Sequence, residues 1–134
     1  MYEVAQHIAD VRLLVSAPSV EDLFRDAVRG MYAVMRGEPA PDARPVQRTI
    51  TVEDSADRTA LLVDFLNEVL HRTHVARELF DGVSFARFEE VSLQATLTGV
   101  APAAFDEDVK AVTYHEADVV ERENVWHTTL VFDI

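Results

Sequence analysis

The chain contains no cysteine. Structural disulfides, thiolate catalysis and thiolate zinc sites are therefore excluded. Glycine is scarce, with four spread widely over 134 residues. Neither a Gly-rich phosphate loop nor a Gly-x-Ser-x-Gly nucleophile elbow can be assembled from them. No apolar run approaches the roughly 18 residues that span a bilayer. No basic start followed by an apolar stretch marks a secretory signal, so a soluble, cytoplasmic protein is expected. Positive charge is also in short supply, with a formal net charge of −12. Nucleic-acid affinity rests on neutralising phosphates, and five histidines cannot reverse this balance near neutral pH. Tight direct binding to RNA or DNA is not expected, whereas a basic protein partner or a bound cation is easily accommodated.

Lysine is the scarcest cation: Lys110 stands alone against eleven arginines. Two readings are open. Either the chain writes its cations as arginine and one lysine is an accident, or position 110 needs a compact, movable ammonium that a planar guanidinium cannot replace.

What is present is a globular composition, 49% hydrophobic and 27% charged, in one domain over residues 1–134. Tyr2 to Ala5 and Val11 to Ala17 read as short strands. Ser19 is placed to cap a helix, with Glu21 and Asp22 in its first turn. Val20, Phe24, Ala27, Val28, Met31 and Met35 recur at helical spacing, and Gly37 reads as the stop. Gly37 to Pro45 holds three prolines and reads as a loop, followed by an alternating strand from Val46 to Glu53. A second helix is predicted from Arg58 to Arg72, with Thr73 to Asp81 as an ambiguous extension broken at Gly82. His71 and His74 near its end can suit a metal or simply decorate an exposed terminus.

Strands follow at Val83 to Glu90 and Val91 to Thr98, the second ending at Gly99, then an acidic loop from Pro102 to Asp108. Lys110 to His115, Ala117 to Arg122 and Val125 to Phe132 read as strands, the last two joined at Glu123-Asn124. The fold class is α+β: a mixed or antiparallel sheet of about six to eight strands packed with two main helices. Duplicated strand-helix-strand units are compatible with this order.

Three places can carry chemistry. His7-Ile8-Ala9-Asp10 can present an imidazole and a carboxylate to one point, or simply hydrogen-bond backbone. In Val131-Phe132-Asp133-Ile134, Leu130 and Phe132 want the core, leaving Asp133 at a rim beside the main-chain carboxylate of Ile134. Such oxygens suit a hard cation, or they belong to a frayed end in water. In Lys110-Ala111-Val112-Thr113-Tyr114-His115, alternation puts Lys110, Val112 and Tyr114 on one face.

Taken together these segments resemble the archease family. His7-Ile8-Ala9-Asp10 is similar to its N-terminal His-Thr/Ser-Ala-Asp motif, and Leu61-Leu62-Val63-Asp64-Phe65-Leu66-Asn67-Glu68 to its central helix. Lys110 to His115 and Phe132-Asp133-Ile134 match its late motif and ending. The resemblance implies a small α+β accessory protein, itself no enzyme, that assists the GTP-dependent RNA-splicing ligase in tRNA splicing and RNA repair. It would promote ligase guanylylation and multiple turnover. It also implies a divalent-cation site at Asp10, Asp133 and the main-chain oxygen of Ile134, Ca²⁺ first, with Mg²⁺ or Mn²⁺ as alternatives. His7 beside it keeps Zn²⁺ open as well, and the family's important lysine falls on Lys110. Ile8 departs from the pattern by removing a hydroxyl next to Asp10. The alternatives are a stand-alone metal-dependent hydrolase using Asp10, Asp133 and His7, or a metal-independent chaperone or scaffold.

Overall fold

In the computed structural model, Met1 and residues 10–134 are described. The predicted strand over Tyr2 to Ala5, and His7, lie outside the described residues.

The elements run β1 (Asp10–Ala17), α1 (Val20–Met35), β2 (Gly37–Val52), α2 (Arg58–Ala76), β3 (Leu79–Phe88), β4 (Leu93–Phe105), β5 (Ala111–Thr113), β6 (Val120–Arg122) and β7 (Val125–Asp133). This is the expected α+β class. The seven strands among the described residues divide between two antiparallel sheets. One has the order β1-β7-β5, with β6 also pairing β7; the other has the order β2-β4-β3.

Both helices begin as their sequences dictate. Ser19 accepts the Asp22 amide through Oγ at 3.1 Å, and Asp57 accepts the Ala60 amide at 2.8 Å. In α1 a single face is apolar, and Leu23, Phe24, Ala27, Val28, Met31 and Met35 are buried. In α2 the run Leu61, Leu62, Val63, Phe65, Leu66 is buried, because this helix touches β2 and β4 of one sheet and β5 of the other. A helix whose apolar residues spread beyond one stripe is one packed on more than one side. Phe24, Phe65, Phe85 and Phe88 form an aromatic knot between α1, α2 and β3, with ring centroids 4.9 to 6.4 Å apart.

Several boundaries differ from the sequence reading, each for a physical reason. Arg36, not Gly37, takes the left-handed conformation that closes α1 (φ 51°, ψ 52°). Gly37 instead supplies space: a Cβ there would meet the Phe105 ring at 2.7 Å. The proline-rich stretch from Gly37 to Pro45 is no loop but the first half of β2. Proline is tolerated because β2 is an edge strand among the described residues and its ladder is interrupted between Pro39 and Arg44. Helix α2 runs a further turn, to Ala76, before Arg77 caps it.

Gly82 does not break a helical extension, because α2 ends at Ala76 and β3 begins at Leu79, and Gly99 does not end a strand. Gly82 lies at a register shift within β3, and β4 passes through Gly99 to Phe105. Close approach of β3 is what requires Gly99, since a Cβ would fall 2.0 Å from the Leu79 carbonyl oxygen. The Glu123-Asn124 turn is as expected, both residues having positive φ between β6 and β7.

Candidate functional site

Strand β7 is the hub of its sheet, and its last residues are flanked on both sides. On one side Asp10 of β1 is the direct antiparallel partner of Asp133. On the other side Ala111 of β5 is the partner of the same Asp133. Lys110, the residue just before β5, donates its main-chain N–H to the Asp133 carbonyl at 2.7 Å. The fold therefore brings Asp10, Lys110, Asp133 and Ile134 to one corner of the sheet. Asp10, Lys110 and Asp133 are exposed, while Ile134 is half-buried and packs against the core.

Alternation along β1 and β7 explains this division. Val11, Leu13, Val15 and Ala17 turn inward on β1, and Leu130 and Phe132 are fully buried on β7. Asp10 and Asp133 fall on the intervening positions and share the outward face. Like charges directly opposite across a ladder destabilise it. Among the described residues neither carboxylate takes part in an ion pair.

Arg12, two residues from Asp10 on the same face, is engaged elsewhere. Its Nε lies 2.7 Å from Glu116 Oε2 and its second nitrogen 3.0 Å from Oε1. That forked contact holds the Glu116 carboxyl below its ordinary range, and raises the Arg12 guanidinium.

The corner is thus acidic, exposed and built from oxygen. Among the described residues no three His, Asp or Glu side chains gather as a metal-binding group. A cation here would be held by two side-chain carboxylates and main-chain oxygen of Ile134, donors that fit Ca²⁺, Mg²⁺ or Mn²⁺.

Lys110 sits between two buried anchors, Val109 and Val112. The expected alternation of Lys110, Val112 and Tyr114 on one face is not seen: Val112 is buried, and Lys110 and Tyr114 are exposed. The reason is length, because β5 contains only Ala111–Thr113 and both exposed residues lie outside it.

Helix α2 holds this short strand with polar side chains that the sequence reading did not assign. Asn67 donates Nδ2 to the Val112 carbonyl and accepts the Val112 amide at Oδ1, both at 2.9 Å. His74, read as a terminal decoration, places Nε2 2.9 Å from the Val109 carbonyl. The Tyr114 hydroxyl donates to Asp64, which also accepts from Ser55 Oγ at 2.6 Å. The available signal was position: Asp64 and Asn67 are half-buried polar residues that, with the exposed Glu68, interrupt the apolar run from Leu61 to Leu70.

Residues 2–134 match the Archease protein family. Proteins named archease from Methanosarcina mazei and Methanopyrus kandleri are each 28% identical to the chain. Alignment covers 99% of this chain in both cases, with 95% and 99% of the respective relatives. Among solved structures, an archease from Thermotoga maritima described as a possible chaperone superposes with a TM-score of 0.71 at 20% identity. It covers 100% of this chain and 98% of its own. Protein 1598 of Methanobacterium thermoautotrophicum superposes with a TM-score of 0.64 at 25% identity, covering 99% and 96%.

Proposed function

The chain belongs to the archease family, and on that premise we propose that it is a metal-binding accessory protein that activates a GTP-dependent RNA-splicing ligase. It would act in tRNA splicing or RNA repair by promoting ligase guanylylation and repeated turnover, without being an enzyme itself. The observation that carries this reading is the pairing of Asp10 with Asp133 beside Lys110 at one exposed sheet corner. Pairing on β7 brings three segments that resemble family motifs to this one corner.

Asp10, Asp133 and main-chain oxygen of Ile134 would hold the divalent cation, Ca²⁺ first and Mg²⁺ or Mn²⁺ otherwise. The bound cation would supply positive charge at an acidic rim. The chain's own residues do the rest: β1 and β5 fix the two sides of the rim against β7, and Lys110 offers a movable ammonium beside it. With a net charge of −12, the surface that receives this rim is a basic protein face rather than RNA.

The test is multiple-turnover ligation by the cognate ligase with folded Asp10→Ala, Lys110→Ala and Asp133→Ala proteins. Each is expected to lose most of the stimulation. Wild-type stimulation by all three would sink the proposal. The Thermotoga relative's description as a possible chaperone favours a second reading, a metal-independent scaffold. Such a protein would bind its partner equally well after any of these substitutions.

A further inference from the structure

The segment from Val109 to Tyr114 is gripped by one helix at three points in antiparallel order. Asp64 receives the Tyr114 hydroxyl, Asn67 pairs with both main-chain groups of Val112, and His74 meets the Val109 carbonyl. Asp64, Asn67 and His74 are spaced three and seven apart, which keeps them on one face of α2. Their span along the axis is about 15 Å at 1.5 Å per residue. An extended segment from Val109 to Tyr114 covers about 16 Å. The two lengths match, so the helix can serve as a template along the whole segment.

This grip is needed because β5 has little else to hold it. Among the described residues it pairs only with β7, over Ala111, Val112 and Thr113. Strands this short contribute few ladder bonds, and neither Lys110 nor Tyr114 lies within the pairing. Asn67 extends the ladder in effect: its carboxamide offers a donor and an acceptor to Val112 as a neighbouring strand's peptide group would. Lys110 is then bracketed by the His74 contact at Val109, its own N–H on Asp133, and the Asn67 clamp at Val112.

The geometry points to Asn67, supported by His74, as the positioning residue that sets Lys110 against the Asp10–Asp133 rim. This deepens the accessory-protein reading and rests on it for the functional consequence, but not for the structural one. The hydrogen bonds of the Asn67 side chain go to the main chain of Val112, and it acts through them.

Two measurements test it. Amide hydrogen exchange on the isolated protein reads the Lys110 N–H, which bonds Asp133 and has no contact with Asn67. In Asn67→Ala this amide is expected to exchange on the order of tenfold faster, as two hydrogen bonds holding its segment are lost. The β1–β7 ladder keeps its protection. Unchanged exchange at Lys110, or equal loosening of every ladder, overturns the inference. Asn67→Asp keeps the side chain's size and the acceptor for the Val112 amide, and gives an intermediate increase if the alanine variant folds poorly. His74→Ala loosens the same amide from its other side.

Ligase stimulation supplies the second measurement. Asn67→Ala is expected to lose as much as Lys110→Ala, and the double variant no more than either. Additive losses would assign Asn67 a separate structural role. If Lys110→Ala itself stimulates as wild type does, the accessory-protein reading fails at that residue. The exchange result then still decides whether Asn67 positions the segment.

Discussion

Asp10 and Asp133, near opposite ends of the sequence, are direct antiparallel partners across β1 and β7 and share an exposed face. A ladder that sets two carboxylates opposite one another carries a standing repulsion, on the order of a few tenths to 1 kcal/mol. Ordinary strand design avoids it, and a cation between the carboxylates relieves it.

Removing one of the two charges should therefore have opposite effects with and without a cation. In chelator, Asp133→Asn melts at or above the wild-type temperature. With Ca²⁺ at about a hundredfold its dissociation constant the wild type gains about 2.7 kcal/mol, and the variant gains little. Thermal denaturation in the two conditions measures both. Equal Ca²⁺ responses would show that Asp133 is not a ligand.

Replacing the single lysine by arginine separates charge from shape. Lys110→Arg keeps the positive charge but presents a planar, weakly hydrated group. Ligase stimulation is expected to fall on the order of tenfold, equivalent to about 1.4 kcal/mol. Full activity in the arginine variant would mean that position 110 needs only a cation.

The Arg12–Glu116 pair predicts an acid-side dependence. Arg12 depresses the Glu116 carboxyl below its ordinary value of 4.5. A carboxyl with a lowered folded-state value contributes stability above its unfolded value, and loses it as pH falls through the folded one. Comparing melting temperatures of wild type and Glu116→Gln from pH 7 down to 3 isolates this component. The difference should be small, salt-sensitive and gone at the acid end, because the pair is exposed.

Tyr32 predicts a dependence at the other extreme. Burial pushes its hydroxyl up to about 12, although Thr73 hydrogen-bonds it at 2.8 Å. A raised folded-state value means stability that is intact below the unfolded value of about 10 and lost as pH rises toward 12. Ultraviolet titration should show Tyr114 delayed by its hydrogen bond to Asp64, and Tyr32 ionising in a late phase that coincides with unfolding. Tyr32→Phe should abolish that late phase, at a neutral-pH cost of about 1 kcal/mol for the lost hydrogen bond.

Gly99 tests the second sheet. A Cβ at this position would meet the Leu79 carbonyl oxygen at 2.0 Å and the Phe80 Cα at 2.7 Å. Both are main-chain atoms and cannot rotate away. Gly99→Ala should destabilise the fold by about 3 kcal/mol, read by denaturant titration. A neutral result would mean that β3 and β4 can slide apart at their register shift without cost.

The sequence was legible wherever a residue's role is local. Ser19 announced the start of α1, and Glu123-Asn124 announced the last hairpin, because capping and tight turns depend on a few adjacent residues. Local rules failed at Pro39, Pro41 and Pro45. Whether a proline breaks a strand depends on whether its missing N–H faces a neighbour, and that is a property of the sheet. Gly37 and Gly99 were misread for a related reason: each serves a close approach from a distant segment, not a turn.

For the corner itself, the motifs in the sequence single out the candidate residues, Asp10, Asp133, Ile134 and the single Lys110, and the net charge of −12 disfavours RNA as a direct partner. His7 lies outside the described residues. That these residues come to one corner is a property of the fold, because β-pairing joins distant segments with no local signal for the register. The fold also decided how Lys110 is held. Asn67 and His74 look like polar residues on a helix until the helix is laid along β5, where main-chain groups, invisible to sequence pattern, become their partners.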